Sequence, residues 1–288
     1  MKSDSQPLVS VVIPCYNHEK FVQDSIQSVI DQTYQNIKLI IIDDGSKDGS
    51  VEKIQEMIHT CQQRFIRFEF RHRPNKGLSA TLNEALEWCK GIYYSAIASD
   101  DMMLPEKTKL QVDFLEANKN ISAVFGGIKL IDNNNITISE RVRQSNQYSF
   151  KDIILHQHDL PAPTQMIRLS ALKNVGGYEP DILIEDWYMW LRLSSYGDLY
   201  YMDHLLCLYR QHATNISKNL EKMRKGRAKV LSFYKDSDLY QLAMLEAEWL
   251  NLIELRTYKI KEFNFSIICF FIKNPIFVFN KVYRKYYE

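Results

Sequence analysis

The sequence lacks the long apolar segments that mark membrane-spanning and secreted proteins. A membrane-spanning helix needs about 20 consecutive apolar residues, and no such run occurs in the 288 residues. The N-terminal segment MKSDSQPLVS also lacks the apolar core of a signal peptide. These absences predict a cytoplasmic protein without an ordinary membrane span.

Cysteine is sparse as well. The five cysteines are widely separated, and none belongs to a CxxC pair: Cys15, Cys61, Cys89, Cys207 and Cys269. Structural zinc sites need clustered cysteine and histidine ligands. We therefore expect reduced thiols, as in a cytoplasm, and no structural zinc ion.

Neither sign of charge is in excess. The chain has 36 basic and 35 acidic residues, which gives a formal net charge of +1. Proteins that bind nucleic acid over a broad surface carry a clear positive excess. The balance predicts no nucleic-acid partner, so a charged ligand must be held by a local group of residues.

The first hundred residues alternate between two kinds of pattern. Apolar runs typical of buried strands occur at 8–13, 37–43 and 92–98, and 64–70 has the alternating pattern of a further strand. Segments with helical periodicity separate them, for example 49–61. This alternation predicts an α/β fold with a mainly parallel sheet flanked by helices. Later, 198–212 has the pattern of two short strands, and the chain from about 216 onward is mainly helical.

Polar or turn-forming residues follow each of the four predicted strands. These segments are PCYN at 14–17, DDGS at 43–46, RHRPNKG at 71–77 and SDD at 99–101. Ligands of open parallel sheets bind at the carboxyl ends of the strands. The four segments are therefore expected to meet at one edge of the sheet.

Each segment also has an ordinary explanation when it is taken alone. Asp43 and Asp44 can accept hydrogen bonds from a base or a ribose, but Asp-Gly-Ser also favours a simple turn. Asn75 and Gly77 precede a helix start that could approach a phosphate, or they form a plain loop and cap. The Asp-Asp pair at 100–101 suits Mg²⁺ or Mn²⁺ on a diphosphate, or a surface turn.

Together, the four segments resemble the inverting family 2 glycosyltransferases with a GT-A fold. That family shows PxYN, DDGSxDGS, an NxG helix entry and a strand that ends in DD, in this order. A weaker similarity continues with GGY at 176–178, ED at 185–186 and YRxH at 209–212. The resemblance covers roughly residues 8–217.

The resemblance implies a Rossmann-like GT-A domain and a helical C-terminal extension. Residues 1–110 would bind the nucleotide sugar, 111–217 would bind the acceptor, and 218–288 would form the extension. The implied activity is a hexosyltransferase that moves one sugar, with inversion, from a UDP-sugar to a glycan or a lipid-linked saccharide. Such enzymes commonly build bacterial surface polysaccharides. No QxxRW motif follows, which argues against a processive polymerase.

The resemblance also implies roles for individual residues. Asp101 would bind Mn²⁺ or Mg²⁺, and His212 would contact the metal or the diphosphate. Ser99 stands where many members have aspartate, which leaves a single carboxylate ligand in this motif. The donor-binding residues would be Pro14, Tyr16, Asn17, Asp43, Asp44, Asn75, Gly77, Asn83 and Asp100.

Asp186 resembles the catalytic base of the family. A hydroxyl that attacks the anomeric carbon must lose its proton, and a positioned carboxylate can take it. A carboxylate at a helix start is also explained by the helix dipole alone. Glu185 is the alternative base, and Glu185 and Trp187 are candidate acceptor contacts.

Two other functions remain open on the sequence. A nucleotidyltransferase also combines a metal with a parallel sheet, but VSVVIPCYN lacks the glycine-rich signature expected near its N-terminus. A non-catalytic module that binds a carbohydrate or a nucleotide would need no base, and it would tolerate Asp186→Asn.

The C-terminal segment 263–288 combines apolar, aromatic and basic residues. This composition suits a bilayer interface, which predicts peripheral contact at the inner face of the cell membrane. A helix packed on the domain, or a dimer interface, is the alternative. The pattern predicts no particular oligomeric state.

Overall fold

The structure is a computed structural model that describes residues 6–212, 219–258 and 260–287. The chain divides into two units. The first consists of Met1–Ile153, His158–Asp181 and Glu185–Ala213, and the second of Ile154–Gln157, Ile182–Ile184 and Thr214–Glu288. The division at 110 and 217 stays a prediction. Glu288, the last residue of the predicted membrane-contact segment, lies outside the described residues.

Among the described residues, ten strands form one sheet. Its order is β3-β2-β1-β4-β9-β6-β10-β5, with β7 beside β6 and β8 beside β10. The strands are β1 Val9–Cys15, β2 Ile37–Asp43, β3 Arg67–His72, β4 Tyr93–Ala96, β5 Met102–Met103, β6 Ile121–Ile131, β7 Thr137–Arg141, β8 Asn146–Tyr148, β9 Met166–Arg168 and β10 Asp198–Arg210.

Helices connect these strands and form the C-terminal part of the chain. The helices that precede residue 200 are α1 Val22–Ile30, α2 Ser50–Gln55, α3 Ile58–Arg64, α4 Leu78–Trp88, α5 Lys107–Ala117, α6 Phe150–Ile154, α7 Leu169–Asn174 and α8 Glu185–Ser194. The second unit contains α9 Leu220–Leu231, α10 Tyr240–Tyr258, α11 Ile260–Lys273 and α12 Pro275–Tyr287. The predicted α/β sheet flanked by helices, with a helical C-terminal extension, is thus confirmed.

The parallel strands bring the predicted segments to one edge. Strand β1 pairs in parallel with β2 and β4, and β2 pairs in parallel with β3. Cys15 therefore lies opposite Asp43, and Asp43 lies opposite His72. Buried valine and isoleucine side chains of β1 and β2 pack with the apolar face of α1 and fix this arrangement.

Two predicted elements differ from the structure. Segment 49–61 is not one helix, because the chain turns between α2 and α3 at Met57, whose φ of -99° and ψ of -4° depart from regular helix values. Segment 198–212 contains the single strand β10 instead of two short strands. The register of β10 shifts between Met202 and Leu205, where two exposed polar residues interrupt the apolar pattern.

The second unit has its own small apolar core. Leu252 of α10, Phe270 of α11 and Val278 of α12 are its buried members, and Trp249 and Phe277 pack against them. Within the described part of the chain, no helix combines the length and the apolar character that a membrane span requires.

Candidate active site

Asp44 fastens the loop that follows β3 to the end of β2. Its carboxylate accepts hydrogen bonds from the backbone N–H groups of Lys76 (2.8 Å) and Gly77 (2.9 Å), and from the guanidinium of Arg73. Gly77 has a φ of +87°, a conformation that favours glycine, immediately before α4 begins. Asp44 therefore orders the loop that contains Asn75 and Gly77, and all three residues are predicted to bind the donor.

Asp43 directs its carboxylate into the protein. It accepts hydrogen bonds from the backbone N–H groups of Gly45 (3.1 Å) and Ser46 (2.9 Å), and its Oδ1 lies 2.8 Å from His72 Nδ1. The side chain is fully buried. The turn that the sequence left as an alternative is therefore present at Asp43, and the base or ribose contact of this residue stays a prediction.

The residues after β1 lie beside this turn. Asn17 has a φ of 57°, its N–H donates to Ser46 Oγ (2.8 Å), and its Oδ1 accepts from the Lys47 N–H (2.8 Å). Tyr16 is 47% exposed, whereas Pro14, near the end of β1, is half-buried. Tyr16 therefore offers the aromatic surface at this edge.

Asn83 has partners other than those the sequence suggested. Its Nδ2 donates to the Tyr178 carbonyl (2.7 Å), and its Oδ1 accepts from the Tyr178 N–H (2.8 Å). This double hydrogen bond ties the GGY segment to α4. Asn75, in contrast, is exposed. Its backbone N lies so close to Gly45 that a Cβ on Gly45 would be only 2.6 Å away.

The arginines of the same loop are paired with carboxylates. Glu84 accepts from Arg71 (2.6 Å) and from Arg73 (2.7 Å). The loop thus contributes little uncompensated positive charge, apart from the exposed Lys76.

Three side chains form a candidate metal centre at the sheet edge. Ligand atoms of His18, Asp100 and His212 all lie within 4.8 Å of one another. Asp100 Oδ2 is 2.8 Å from His212 Nε2 and 3.8 Å from His18 Nε2. Ser99 Oγ, 2.7 Å from His18 Nδ1, orients that ring from its other side.

The donor set of this group fits a divalent cation. With bonds of about 2.1 Å, two ligands of one ion can lie up to about 4.2 Å apart, so small side-chain rotations would bring all three atoms onto one ion. Carboxylate oxygen suits Mg²⁺ and Mn²⁺, and imidazole nitrogen suits transition metals. The mixture favours Mn²⁺ over Mg²⁺.

Asp101 lies outside this group. It is 2% exposed, and its Oδ1 accepts a hydrogen bond from the backbone N–H of Arg210 (2.8 Å). The structure therefore brings Asp100, and not Asp101, together with His212. The predicted division, with Asp101 on the metal and Asp100 on the donor, stays a prediction that this geometry does not favour.

The two adjacent carboxyl groups have opposite electrostatic surroundings. Burial opposes ionisation of Asp100, but the hydrogen bond with His212 and the charge of His18 outweigh it and lower its pKa. Burial, together with repulsion from Asp100, raises the pKa of Asp101 well above its ordinary value. Asp100 is therefore the more readily ionised member of the pair.

Arg210 joins the parts of this centre. Its side chain is fully buried, and it donates to the Asp100 carbonyl (2.9 Å) and the Asp132 carbonyl (2.9 Å). Its guanidinium also lies 4.5 Å from the ring centre of Phe21, which stacks on His212. A single side chain thus holds both the Asp100 backbone and the aromatic neighbour of His212.

Glu185 and Asp186 form a second acidic pair, at the start of α8. Burial, with the neighbouring charge of Asp186, raises the pKa of Glu185 to about 8. Burial also raises the pKa of Asp186, against the hydrogen bond that its Oδ1 accepts from the Trp187 N–H (2.6 Å). With a pKa of about 8, Glu185 mostly keeps its proton at neutral pH.

Trp187 is not positioned as a surface for a sugar. Its side chain is 2% exposed, and its indole N–H donates to the Ile153 carbonyl (3.0 Å). Trp190 is 4% exposed and packs edge-on against Phe125. Both tryptophans of α8 therefore belong to the interior, and an acceptor contact through Trp187 would require a rearrangement.

Sequence reasoning missed His18 and Arg210. His18 immediately follows PCYN, and that adjacency to a strand-end motif was the available signal. Arg210 lies within YRxH, two residues before His212, but a burial of this completeness has no signature in the sequence.

The chain is similar to known proteins over most of its length. The profile of the family described as Glycosyl transferase family 2 matches residues 10–176. An uncharacterized glycosyltransferase of Methanocaldococcus jannaschii is 28% identical over 284 residues, which is 95% of this chain and 91% of that protein. An uncharacterized glycosyltransferase of Rickettsia bellii is 26% identical over 221 residues, 74% of this chain but 31% of that longer protein.

One relative has a named activity. The UDP-Glc:alpha-D-GlcNAc-diphosphoundecaprenol beta-1,3-glucosyltransferase WfgD of Escherichia coli is 27% identical over 240 residues, which is 83% of this chain and 90% of that protein.

Solved structures share the fold. S. aureus TarS in complex with UDP-GlcNAc superposes with a TM-score of 0.63 and 17% identity, over 87% of this chain and 73% of that one. A mannosyltransferase of Pyrobaculum calidifontis, in complex with GDP-Man and Mn²⁺, gives 0.66 and 13% identity, over 88% and 73%. These likenesses confirm the predicted GT-A fold.

Proposed function

The chain belongs to glycosyltransferase family 2 and is a transferase, and from this premise we propose that it moves one sugar, with inversion, from a UDP-sugar to a saccharide acceptor. The observation that carries the proposal is the group of His18, Asp100 and His212 at the edge where four strands end. A metal-capable group at that edge is what a diphosphate donor requires.

The donor site that we propose follows the segments after β1, β2 and β3. Tyr16 would pack against the base, and Pro14 and Asn17 would shape the wall beside it. Asp43 and Asp44 would line the base and ribose as carboxylates already fixed by hydrogen bonds. Asn75 and Gly77 would lie beside the donor at the start of α4, with the Gly77 N–H already held by Asp44.

The metal ligands that we propose are Asp100, His212 and His18, with Mn²⁺ as the preferred ion. A bound divalent ion would neutralise charge on the departing diphosphate. Asp101, with its high pKa, would hold the Arg210 N–H and so fix the backbone beneath Asp100. The sequence-based prediction instead had Asp101 on the metal and Asp100 on the donor, so the proposal differs from it at both aspartates.

Asp186 is the proposed catalytic base. Its carboxylate would accept the proton of the attacking acceptor hydroxyl as the bond to the anomeric carbon forms and the bond to the diphosphate breaks. A raised pKa makes Asp186 a stronger base than an ordinary aspartate. Glu185, protonated at neutral pH, would donate a hydrogen bond to the acceptor.

The acceptor that we propose is a growing glycan on a lipid diphosphate, in the biosynthesis of a surface polysaccharide. The named activity of WfgD, whose acceptor is a diphosphoundecaprenol-linked sugar, supports this choice. Such an acceptor is held at a membrane, so we also propose peripheral contact through 263–288 at the inner face of the cell membrane. The division into residues 1–110, 111–217 and 218–288 is retained as part of the proposal.

The test is release of UDP from a panel of UDP-sugars with Mn²⁺, with and without a lipid-linked saccharide. Wild type should release UDP faster with the acceptor, and Asp186→Asn should lose this acceptor-dependent rate by about a hundredfold or more. Asp203→Asn, at an exposed site, is the matched control. Equal rates for wild type and Asp186→Asn would refute the base assignment, and no UDP release with any donor would refute the proposed reaction.

A further inference from the structure

The last two helices carry a second apolar face that the core does not use. The inner side of α11 and α12 packs through Phe270 and Val278. On the other side, Ile268, Phe271, Ile272 and Ile276 are exposed by 59, 52, 73 and 78%. We call these four residues the outer face.

Three of the four residues share one side of α11 by helix geometry. Ile268, Phe271 and Ile272 have the spacing i, i+3, i+4, which places them side by side on α11. Ile276 is the second residue of α12, which begins at Pro275 just after the junction at Asn274. Clustered exposed apolar side chains of this size mark an interaction site more often than an ordinary surface.

The charge of this segment selects among the possible partners. Residues 263–288 contain one acidic residue, Glu288, and four basic ones: Lys273, Lys281, Arg284 and Lys285. Lys273 is exposed beside the outer face, whereas Lys281 is engaged by Glu246 at 2.6 Å. The side chains of Arg284 and Lys285 lie outside the described part of the chain.

A bilayer matches this combination better than a second copy of the chain does. A symmetric dimer would bring the same patch of each copy together, and with it the like charges of Lys273. An anionic bilayer offers an apolar boundary for isoleucine and phenylalanine, and negative headgroups for lysine. We propose that the outer face inserts into the interface of a bilayer that contains anionic lipid.

This inference rests on the proposed function, because a lipid-linked acceptor is met at such a surface, and it names the residues that make the contact. The test is flotation of the full chain with vesicles of phosphatidylglycerol and phosphatidylethanolamine, compared with phosphatidylcholine alone. In the double variant Ile272→Ser, Ile276→Ser, the affinity for the anionic vesicles should fall by about tenfold or more. Lys273→Glu should weaken binding to anionic vesicles, and high salt should do the same to wild type.

The matched control replaces two isoleucines of the first unit that are also more than half exposed. Ile66→Ser, Ile136→Ser alters side chains that are 62 and 63% exposed, and it should float like wild type. Wild type that fails to float, or an outer-face variant that floats like wild type, would overturn the proposal. A wild-type dimer in light scattering that the outer-face variant converts to a monomer, without vesicle binding by either, would assign the face to a second copy.

Activity separates this inference from the proposed function. UDP release from the donor, measured without vesicles, should be the same in wild type and in the outer-face variant, since that variant changes no residue of the candidate active site. A wild type that floats but releases no UDP would refute the proposed reaction and leave the bilayer contact standing. UDP release without flotation would refute the contact and leave the reaction standing.

Discussion

Arg210 acts on the candidate metal centre without belonging to it. Its bonds to the Asp100 and Asp132 carbonyls leave in different directions from one planar group, which a lysine cannot reproduce. Arg210→Lys should therefore weaken Mn²⁺ binding by about ten- to a hundredfold, the usual effect of losing a residue that positions metal ligands. Titration of Mn²⁺ by electron paramagnetic resonance, with UDP present, measures this directly.

Arg168→Lys is the control for that experiment. Arg168 also donates to several backbone carbonyls, those of Leu115, Asn118 and Ile121, but none belongs to the metal centre. The variant Arg168→Lys should therefore leave the Mn²⁺ affinity unchanged. Equal loss in both variants would mean that Arg210 only supports the fold.

The raised pKa of Glu185 makes folding stability depend on pH. Its folded value of about 8 exceeds the ordinary 4.5, so folding favours the protonated form. This contribution is complete below the unfolded pKa and is lost as the pH rises through the folded value. Between about pH 5 and pH 9, the free energy of unfolding of wild type should therefore fall relative to that of Glu185→Gln, whose side chain stays neutral.

Urea denaturation at a series of pH values measures this difference. Asp203→Asn, at an exposed site, should run parallel to wild type over the same range. A difference between wild type and Glu185→Gln that does not change with pH would contradict the raised pKa.

For single residues, the sequence identified the acidic pairs but not the separate role of each carboxylate. Asp100 and Asp101 are adjacent, and only distant residues separate their roles: His18 lies before them, and Arg210 and His212 lie about a hundred residues after them. Asn83 was assigned to the donor from a motif, yet both of its polar groups bind the Tyr178 backbone. Hydrogen-bond partners of this kind depend on the tertiary fold and leave no local pattern.

The entry into β4 depends on a glycine. Gly91 has a φ of +94°, and a Cβ at this position would lie 2.3 Å from the Leu8 carbonyl oxygen. Gly91→Ala should therefore lower the free energy of unfolding by about 3 kcal/mol or more, from the conformational strain and the clash together. Urea denaturation followed by circular dichroism provides the value.

Gly176→Ala separates the two causes. Gly176 has a similar φ of +87°, but a Cβ there meets nothing within 4 Å. This variant should lose only about 1 kcal/mol, the cost of a left-handed alanine. Equal losses in the two variants would show that the approach to Leu8 costs nothing.

Whole elements were predictable where the apolar pattern was continuous. Strand β2 has the bounds that its run of isoleucine and leucine predicts, from Ile37 to Asp43. Strand β10 was divided in two because Asp203 and His204 interrupt its pattern, whereas the structure continues through them with a shifted register. Pairing with β6 on both sides of the interruption keeps the strand whole, and such pairing cannot be seen in a local window.

For the molecule as a whole, the sequence does not reveal which distant segments associate. The second unit combines Ile154–Gln157 and Ile182–Ile184 with the C-terminal helices. Both short segments look like ordinary parts of the acceptor half in the sequence. Apolar residues indicate which segments will be buried. They do not indicate which segments they will pack against, because the hydrophobic effect has no preferred direction.

Ligand binding should be measurable as stability of the first unit. A ligand present at a hundred times its dissociation constant stabilises the state that binds it by about 2.7 kcal/mol, which corresponds to about 5 to 10 °C in Tm for a unit of this size. Tryptophan fluorescence reports mainly on this unit, since Trp88, Trp187 and Trp190 belong to it and Trp249 to the other. UDP with Mn²⁺ should therefore raise the Tm seen by fluorescence, and a chelator should remove most of the increase.

Asp100→Asn should abolish the metal-dependent part of this increase in Tm, because it removes the carboxylate of the metal centre, while Asp203→Asn should retain it. If Asp100→Asn shows the same metal-dependent increase in Tm as wild type, the metal binds elsewhere, and Asp101 is the next residue to substitute.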